Sequence, residues 1–264
     1  MSLQSNKTSS ASNNVQPAKS TSNMYANAKT WNPFKGCEFD CVYCVPSFQL
    51  QSKRQKQNCL KCYSYTPHAH PERLSLSQIP SSDIVFVCGN SDLSFCKPEF
   101  IPQIIEAIKS KSDNRRRAGK NVQTFFLQSK QPECFKPFLS TLPENVILVT
   151  TLETNRDKDY AKYSKAPPPS KRYKQFLALD YPRKIVTIEP VMDFDVDIFS
   201  DSICRINPEY VWLGFNSRDK QVHLPEPTPE KMEAFAKAVS SQGIKIKGKH
   251  LRGLKLTGVE VTQG

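Results

Sequence analysis

Residues 84–127 alternate between two kinds of apolar pattern. The stretch begins with a continuous apolar run, IVFVC (84–88), which is typical of a strand buried on both faces. The segment from Pro98 to Lys111 then places isoleucines at positions 101, 104, 105 and 108, the spacing of one helical face. A second apolar run, VQTFFL (122–127), predicts the next strand. This order predicts a right-handed strand–helix–strand unit with parallel strands.

The same alternation continues to residue 246. It predicts further strands at 146–152, 184–188, 210–215 and 244–246, and helices at 132–139, 171–179, 196–205 and 229–243. Thr228 and Pro229 are typical of the N-cap and first turn of the last helix. About six such units predict an α/β fold, a partial (β/α)6-type barrel with parallel strands. In such folds the functional site lies at the carboxyl ends of the strands.

The chain outside this alternation has a different composition. Residues 1–27 are rich in Ser, Asn, Lys and Thr, and we predict a disordered polar tail followed by one domain, 28–264. Within that domain, residues 45–74 contain cysteines, histidines and prolines and predict an insertion loop. The sequence has neither a secretory apolar segment at its start nor the ~20 apolar residues of a membrane helix. We therefore expect a cytoplasmic protein with no membrane partner.

Basic residues outnumber acidic ones, 37 to 25, which gives a net charge of +12. This balance favours nucleic acid or another polyanion as a partner, although a solvated basic surface explains it equally well. Two basic runs, 109–120 and 245–255, could contact phosphates, and the second contains no acidic residue. For the first run, a solvated helix end is the simpler interpretation because cations favour helix C-termini.

Five of the nine cysteines fall between residues 37 and 62, and such clustering in a cytoplasmic chain indicates a metal site or catalysis. Cys37, Cys41 and Cys44 form C-x3-C-x2-C, which can bind three corners of a 4Fe–4S cluster. The fourth iron would stay open for an amine and a carboxylate of a substrate. Zinc remains an alternative, because Cys41 and Cys44 form one CxxC pair and Cys59 and Cys62 another. The remaining cysteines are interpreted as small buried hydrophobes: Cys88, Cys96, Cys134 and Cys204.

Cys59 and Cys62 are followed by His68 and His70, a set that can complete a tetrahedral zinc site. The two histidines are two residues apart, so on an extended segment they point the same way. An auxiliary iron–sulfur cluster, a redox dithiol and two inert cysteines remain open alternatives for this pair.

The C-x3-C-x2-C motif, with the aromatic Tyr43 directly before its third cysteine, resembles the signature of the radical S-adenosylmethionine (SAM) superfamily. The lead-in WNPFKGC (31–37) is similar to the Trp-Asn-Pro opening of an uncharacterised radical SAM family of phage, bacteria and archaea, itself distantly similar to spore photoproduct lyase. Later segments fit the recurring strand-end motifs of that family: VCGNSD (87–92), QSK (128–130), TLETNR (151–156), IEPV (188–191) and WLGFNS (212–217).

This resemblance implies a 4Fe–4S cluster on the three cysteines and reductive cleavage of SAM to a 5′-deoxyadenosyl radical. The substrate and the electron donor stay unknown, and no catalytic acid or base is implied. Tyr43 would pack against the adenine, and the strand end Gly89, Asn90, Ser91 and Asp92 would bind the methionine amino group, with Asn90 replacing a glycine of the superfamily pattern. The other strand-end residues would contact SAM or line its pocket: Lys130, Thr151, Glu153, Asn155, Arg156, Glu189, Asn216 and Ser217.

Two further classes of function stay open. One is a zinc-stapled nucleic-acid-binding protein without SAM turnover, and the other is a redox-sensing or electron-transfer iron–sulfur protein. His223 and His250 are isolated in sequence and are interpreted as surface or core residues.

Overall fold

The computed structural model describes residues 28–261, so the predicted disordered tail (1–27) lies outside the described residues. Its largest element is a sheet of eight parallel strands. These are β1 (Ala28–Trp31), β4 (Ile84–Val87), β5 (Thr124–Gln128), β6 (Val146–Thr151), β7 (Lys184–Ile188), β8 (Tyr210–Leu213), β9 (Lys245–Gly248) and β10 (Val259–Val261). A separate antiparallel pair consists of β2 (Phe34–Lys35) and β3 (His68–Ala69).

The strands lie side by side in chain order, β1-β4-β5-β6-β7-β8-β9-β10. The longer helices precede or connect them: α3 (Ile101–Arg117), α4 (Pro169–Leu177), α5 (Val196–Ile206) and α6 (Pro229–Ser241). A 3₁₀ segment, Pro132–Thr141, links β5 to β6. The predicted α/β fold with parallel strands is confirmed. Within the described residues β1 and β10 each pair with one neighbour, so they form the two edges of the sheet.

The central strands β6 and β7 bury both faces, as their continuous apolar runs predicted, whereas β4 is half-buried on one face. Successive side chains of a strand point to opposite faces. In β5, Phe125 and Leu127 therefore pack in the large core beneath the helices, while Phe126 packs with Ile147 and Ile185 on the other face. The buried stripe of α3, which includes Ile104 and Ile108, belongs to the large core.

Most predicted elements occur within a few residues of their predicted bounds. The strand at 184–188 is confirmed at both ends, whereas α3 continues to Arg117, six residues beyond the predicted end. Thr228 caps α6 as predicted, because its hydroxyl accepts a hydrogen bond from the Lys231 amide at 3.3 Å. The edge strands β1 and β10 were not predicted, since four and three residues are too few to show a period.

The predicted insertion loop contains short ordered elements. A π-helical turn, Val45–Gln49, continues into α1 (Leu50–Ser52), and α2 (Leu60–Ser64) follows. The segment returns to the domain through β3, which pairs with β2, and through a 3₁₀ turn at Pro71–Leu74. Among the described helices, none has the length and apolar character needed to cross a membrane.

Gly36 has a backbone conformation and a packing environment that only glycine satisfies. Its φ is +92°, and an added Cβ would lie 2.3 Å from the Thr66 carbonyl oxygen. We expect Gly36→Ala to lower the free energy of unfolding more than Gly119→Ala, measured by urea denaturation. Gly119 also has a positive φ, +65°, but no atom lies within 4 Å of an added Cβ, so the control should show only the strain of about 1–2 kcal/mol. Equal losses in the two variants would contradict this packing role.

Candidate functional site

A cavity of about 590 Å³ opens at the carboxyl ends of β4 to β9. Its volume lies within the usual range for small-molecule sites. Its other walls are formed by the cysteine loop, which we define as residues 36–44, and by the insertion, residues 45–74. Many of the predicted site residues line it: Cys37, Cys41, Tyr43, Cys44, Gly89, Asn90, Ser91, Asp92, Lys130, Thr151, Glu189, Asn216 and Ser217.

The start of the cysteine loop is attached to the end of β4. Gly36 bridges to Ser91 as a parallel partner, and its amide donates to the Asn90 carbonyl at 3.4 Å. The Ser91 hydroxyl donates to the Phe34 carbonyl at 3.2 Å. Gly89, beside these contacts, leaves room for the Phe86 ring, because an added Cβ would lie 2.6 Å from it. The Trp-Asn-Pro lead-in thus brings the cysteines to the strand end that the resemblance implied.

The other side of the cysteine loop is held by the segment after β6. The Val42 amide donates to the Tyr163 carbonyl at 2.9 Å, and the Lys165 amide donates to the Phe39 carbonyl at 2.7 Å. The Cys41 sulfur lies 3.1 Å from the Ser164 hydroxyl. Two backbone attachments, one on each flank, therefore orient this loop toward the cavity.

The cysteine side chains offer a donor set that fits an iron–sulfur cluster. Cys37, Cys41 and Cys44 are free thiols on one cavity wall. Burial raises the pKa of the Cys37 and Cys44 thiols above the usual value of a cysteine. Without a bound metal, both thiols would therefore keep their protons. Metal coordination deprotonates a thiol outright, and thiolates are the usual ligands of 4Fe–4S clusters.

A buried ionic network lies behind the same wall. Glu153 is fully buried, and its carboxylate accepts hydrogen bonds from Arg172 at 2.7 Å and Lys130 at 2.7 Å. It also accepts from the hydroxyls of Tyr160, at 3.2 Å, and Tyr43. Burial alone would raise the pKa of Glu153, but Arg172 and Lys130 hold it well below its usual range. This permanent carboxylate fixes the position of Tyr43, the residue implied to face the adenine.

Lys130 connects that network to the cysteines. Its Nζ lies 3.4 Å from the Cys41 sulfur and 4.5 Å from the centre of the Tyr43 ring. Its side chain is only 14% exposed. A cation at this distance would offset the negative charge of a thiolate at Cys41.

Asp92 ties the ends of β4 and β5 together. Its Oδ1 accepts from the amide and hydroxyl of Ser94, at 2.9 and 2.7 Å, and from the Ser129 hydroxyl at 2.6 Å. Its Oδ2 accepts from the Lys130 amide at 2.7 Å. Four protein donors therefore orient this buried carboxylate. Its implied contact with the methionine amino group stays a prediction.

Glu189 lines the cavity opposite the cysteine loop. Burial raises its pKa to about 7, against the opposing effects of a hydrogen bond from the Trp212 indole at 2.9 Å and the positive charge of Lys249. A carboxyl that titrates near neutral pH can give or take a proton. Asn216, at the neighbouring strand end, donates to the Val222 carbonyl at 2.7 Å and accepts from the Arg218 amide at 3.0 Å, which shapes the turn there.

Three implied SAM contacts do not line the cavity in the described part of the chain. Glu153 lies behind the wall, and Asn155 and Arg156 belong to a different ionic group. Arg156 contacts Asp195 at 2.5 Å and also pairs with Asp193, while the side-chain Oδ1 of Asn155 accepts from the Asp195 backbone amide at 2.9 Å. The guanidinium fork of Arg156 is thus already engaged by carboxylates.

Some cavity residues were not assigned to the site from sequence. Tyr65 comes from the insertion, and its hydroxyl lies 3.8 Å from the Cys44 sulfur. Thr187 also lines the cavity, and its hydroxyl donates to the Thr151 hydroxyl at 2.9 Å. His250, interpreted from sequence as a surface or core residue, lines the mouth of the cavity. Thr187 lies near the end of the predicted strand 184–188, and His250 follows the predicted strand 244–246. Their places near strand ends are the sequence feature from which both could have been predicted.

A second group of metal-type ligands lies in the insertion. The ligand atoms of Cys59, Cys62, His68 and His70 all lie within 4.8 Å of one another. This group does not include Cys41 or Cys44 in the described structure, so the two CxxC pairs do not form one site. The structure thus brings together the four residues that the sequence grouped, and their binding of a metal stays a prediction.

Comparison with known proteins supports the fold. No protein-family model matches the chain, and no curated protein sequence matches it. Among solved structures, it is similar to a radical SAM methyltransferase from Sphaerobacter thermophilus. The TM-score is 0.55 at 13% sequence identity, over 87% of this chain and 68% of that one. At that identity the likeness shows a distant radical SAM-like fold.

The buried carboxylate yields a stability prediction. Glu153→Gln removes the negative charge that two buried cations share, so we expect the free energy of unfolding to fall by about 3–5 kcal/mol in urea denaturation. Asp201→Asn is the matched control, because it breaks the Arg205–Asp201 pair, whose side chains are 65% and 62% exposed. That control should cost less than about 1 kcal/mol. A Glu153→Gln variant as stable as the control would disprove the charge balance described above.

Proposed function

We propose that this chain is a radical SAM enzyme that reductively cleaves SAM at a 4Fe–4S cluster. One observation carries the proposal: three free cysteines spaced C-x3-C-x2-C line a ligand-sized cavity at the carboxyl ends of a parallel sheet. The similarity of the fold to that of a radical SAM methyltransferase supports it. The reaction on the substrate and the electron donor are left open.

Each part of the cavity has a role in this proposal. Cys37, Cys41 and Cys44 would hold the cluster, which when bound supplies the electron that splits the carbon–sulfur bond of SAM. The backbone of 89–91 would accept from the methionine amino group, and Thr151 and Asn216 would offer polar contacts. Glu153 acts indirectly, by positioning Tyr43 and Lys130.

Asn155 and Arg156 fit the implied role of SAM contacts less directly, because they do not line the cavity. For Asn155 or Arg156 to reach SAM, their contacts with Asp195 would have to open. Their implied SAM contacts stay a prediction. Glu189, whose carboxyl can exchange a proton near neutral pH, is better placed to meet a ligand in the cavity.

The cluster assignment predicts that the three cysteines are equivalent. Alanine at Cys37, Cys41 or Cys44 should abolish the visible charge-transfer absorbance and 5′-deoxyadenosine formation, because each supplies one of three protein ligands. The measurements are iron content, absorbance and product analysis on anaerobically reconstituted protein reduced with dithionite. Cys204→Ala is the control, since that cysteine lies on α5, away from the cavity lining.

The same experiment separates the alternative functions. A triple alanine variant that keeps iron and cleaves SAM would refute the proposal. Wild-type protein that binds a cluster without cleaving SAM would indicate an electron-transfer or redox-sensing protein. Colourless wild-type protein that contains zinc alone would favour a zinc-stapled nucleic-acid-binding protein.

We further propose that the substrate is a nucleic acid or another polyanion. The net charge of +12 supports this, and Arg218, Lys249 and His250 line the cavity. Parts of the predicted basic runs serve internal contacts instead: Lys111 donates to the Leu76 carbonyl at 2.9 Å, and Arg252 pairs with Glu226 at 2.6 Å. The cavity mouth is therefore a better candidate surface than the runs as a whole.

Phosphate contacts at this mouth make binding depend on salt. We expect DNA or RNA affinity to fall steeply as salt rises, because each neutralised phosphate releases a counterion. Arg218→Ala should weaken binding and reduce the slope of log affinity against log salt by about 1. Arg205→Ala, on α5, is the control and should leave the slope unchanged. Salt-independent binding, or none at low salt, would exclude a nucleic-acid substrate at this site.

A further inference from the structure

We propose that Cys59, Cys62, His68 and His70 bind one zinc ion in a closed structural site, with Glu72 orienting His70. This zinc would hold the cavity wall that touches the cysteine loop. The inference does not depend on the proposed SAM chemistry, because none of its ligands belongs to the C-x3-C-x2-C motif.

The contacts between the side chains have the size that a single ion requires. The Nε2 atom of His68 lies 3.4 Å from the sulfur of Cys59 and 3.4 Å from that of Cys62, and the Nε2 of His70 lies 3.2 Å from the Cys62 sulfur. Tetrahedral zinc, with Zn–S of about 2.3 Å and Zn–N of about 2.0–2.1 Å, places sulfur and nitrogen about 3.5 Å apart. A two-iron cluster with this ligand set would place the cysteines and histidines on different irons, which requires wider separations.

The hydrogen bonds made by the Nδ1 atoms of His68 and His70 determine which ring nitrogen of each histidine can bind a metal. His68 Nδ1 lies 2.7 Å from the Thr66 carbonyl, and His70 Nδ1 lies 2.8 Å from a Glu72 carboxylate oxygen. Both partners can only accept, so in each neutral ring Nδ1 carries the proton and Nε2 presents its lone pair. The Nε2 of His68 faces both sulfurs, and the Nε2 of His70 faces the Cys62 sulfur. A carboxylate or carbonyl behind a ligating histidine is the usual arrangement around protein-bound metals.

The converging histidines argue against a simple redox dithiol in this position. Cys62 and His70 are only 2% and 8% exposed, and each of the two sulfurs lies within 3.4 Å of an imidazole nitrogen. A redox dithiol needs two thiols with one of them accessible, but not two imidazole nitrogens directed at the sulfurs. Cysteine and histidine together, on a short segment with no large core, are typical ligands of a structural zinc.

Four protein ligands would complete the tetrahedral shell, so the zinc would have no open position for a substrate. Its effect would reach the cavity through the chain between the ligands. The Cys37 amide donates to the Tyr65 carbonyl at 3.3 Å, and the Tyr65 hydroxyl lies 3.8 Å from the Cys44 sulfur. The His70 amide donates to the Pro33 carbonyl at 2.6 Å. The zinc ligands and the residues between Cys62 and His70 would thus add a third support to the cysteine loop, beside its attachments to β4 and to the segment after β6.

Metal analysis of the full-length protein tests the site. Wild-type protein should retain about one zinc per chain after dialysis, and the Cys59→Ser/Cys62→Ser variant should lose it. The matched control is Cys134→Ser/Cys204→Ser, which changes two cysteines outside the site and should keep the zinc. Cobalt(II) added to metal-free wild-type protein should give a thiolate-to-cobalt charge-transfer band that the Cys59→Ser/Cys62→Ser variant lacks.

A second variant tests the zinc site independently if the Cys59→Ser/Cys62→Ser protein fails to fold. Glu72→Gln leaves all four ligands in place, and it should weaken zinc binding by about 10–100-fold in competition with a chelator. The proposal is overturned if wild-type protein holds neither zinc nor cobalt, if the site holds iron instead, or if Glu72→Gln binds zinc as tightly as wild type. Zinc without SAM cleavage would leave this inference standing and refute the proposed function, and SAM cleavage without zinc would do the reverse.

Discussion

Parallel pairing of the eight strands is the constraint on which the site depends. Because all the strands run the same way, their carboxyl ends meet at one edge, and residues far apart in sequence converge there. Asp92, Lys130, Thr151, Glu189 and Asn216 each follow or end a different strand, and all five line one cavity. The cysteine loop follows β1 and is attached across β4, so the same pairing delivers the three thiols to that edge.

Buried charge is tolerated at this edge because each charge has a partner. Glu153 balances Arg172 and Lys130, and the network orients Tyr43 and places a cation beside Cys41. Removing one member would leave uncompensated charge in the interior, which is far more costly than keeping the whole set. Rigid placement of the cavity wall and stability of the fold therefore rest on the same side chains.

The insertion solves a different physical problem. Between Val45 and Leu74 the helices are one or two turns long and bury few apolar side chains, so packing alone supplies little stability. Two-residue pairing between β2 and β3 joins it to the domain. A metal that binds Cys59, Cys62, His68 and His70 would add cross-links where a hydrophobic core is missing. The cavity wall that contains Tyr65 depends on this local order.

The sequence by itself determined the strand and helix order from 84 to 246, the cysteine spacing and the grouping of the insertion ligands. Periodicity reports which side of an element is buried, and close ligands share a short segment, so local patterns are sufficient for both. Only the tertiary structure decided which charged side chains pair, Lys130 with Glu153 and Arg156 with Asp195. It also decided that His250 lines the cavity and that β1 forms one edge of the sheet. Partners of a charged side chain are chosen by distances across strands, and a four-residue edge strand is stabilised by its neighbour rather than by its own pattern.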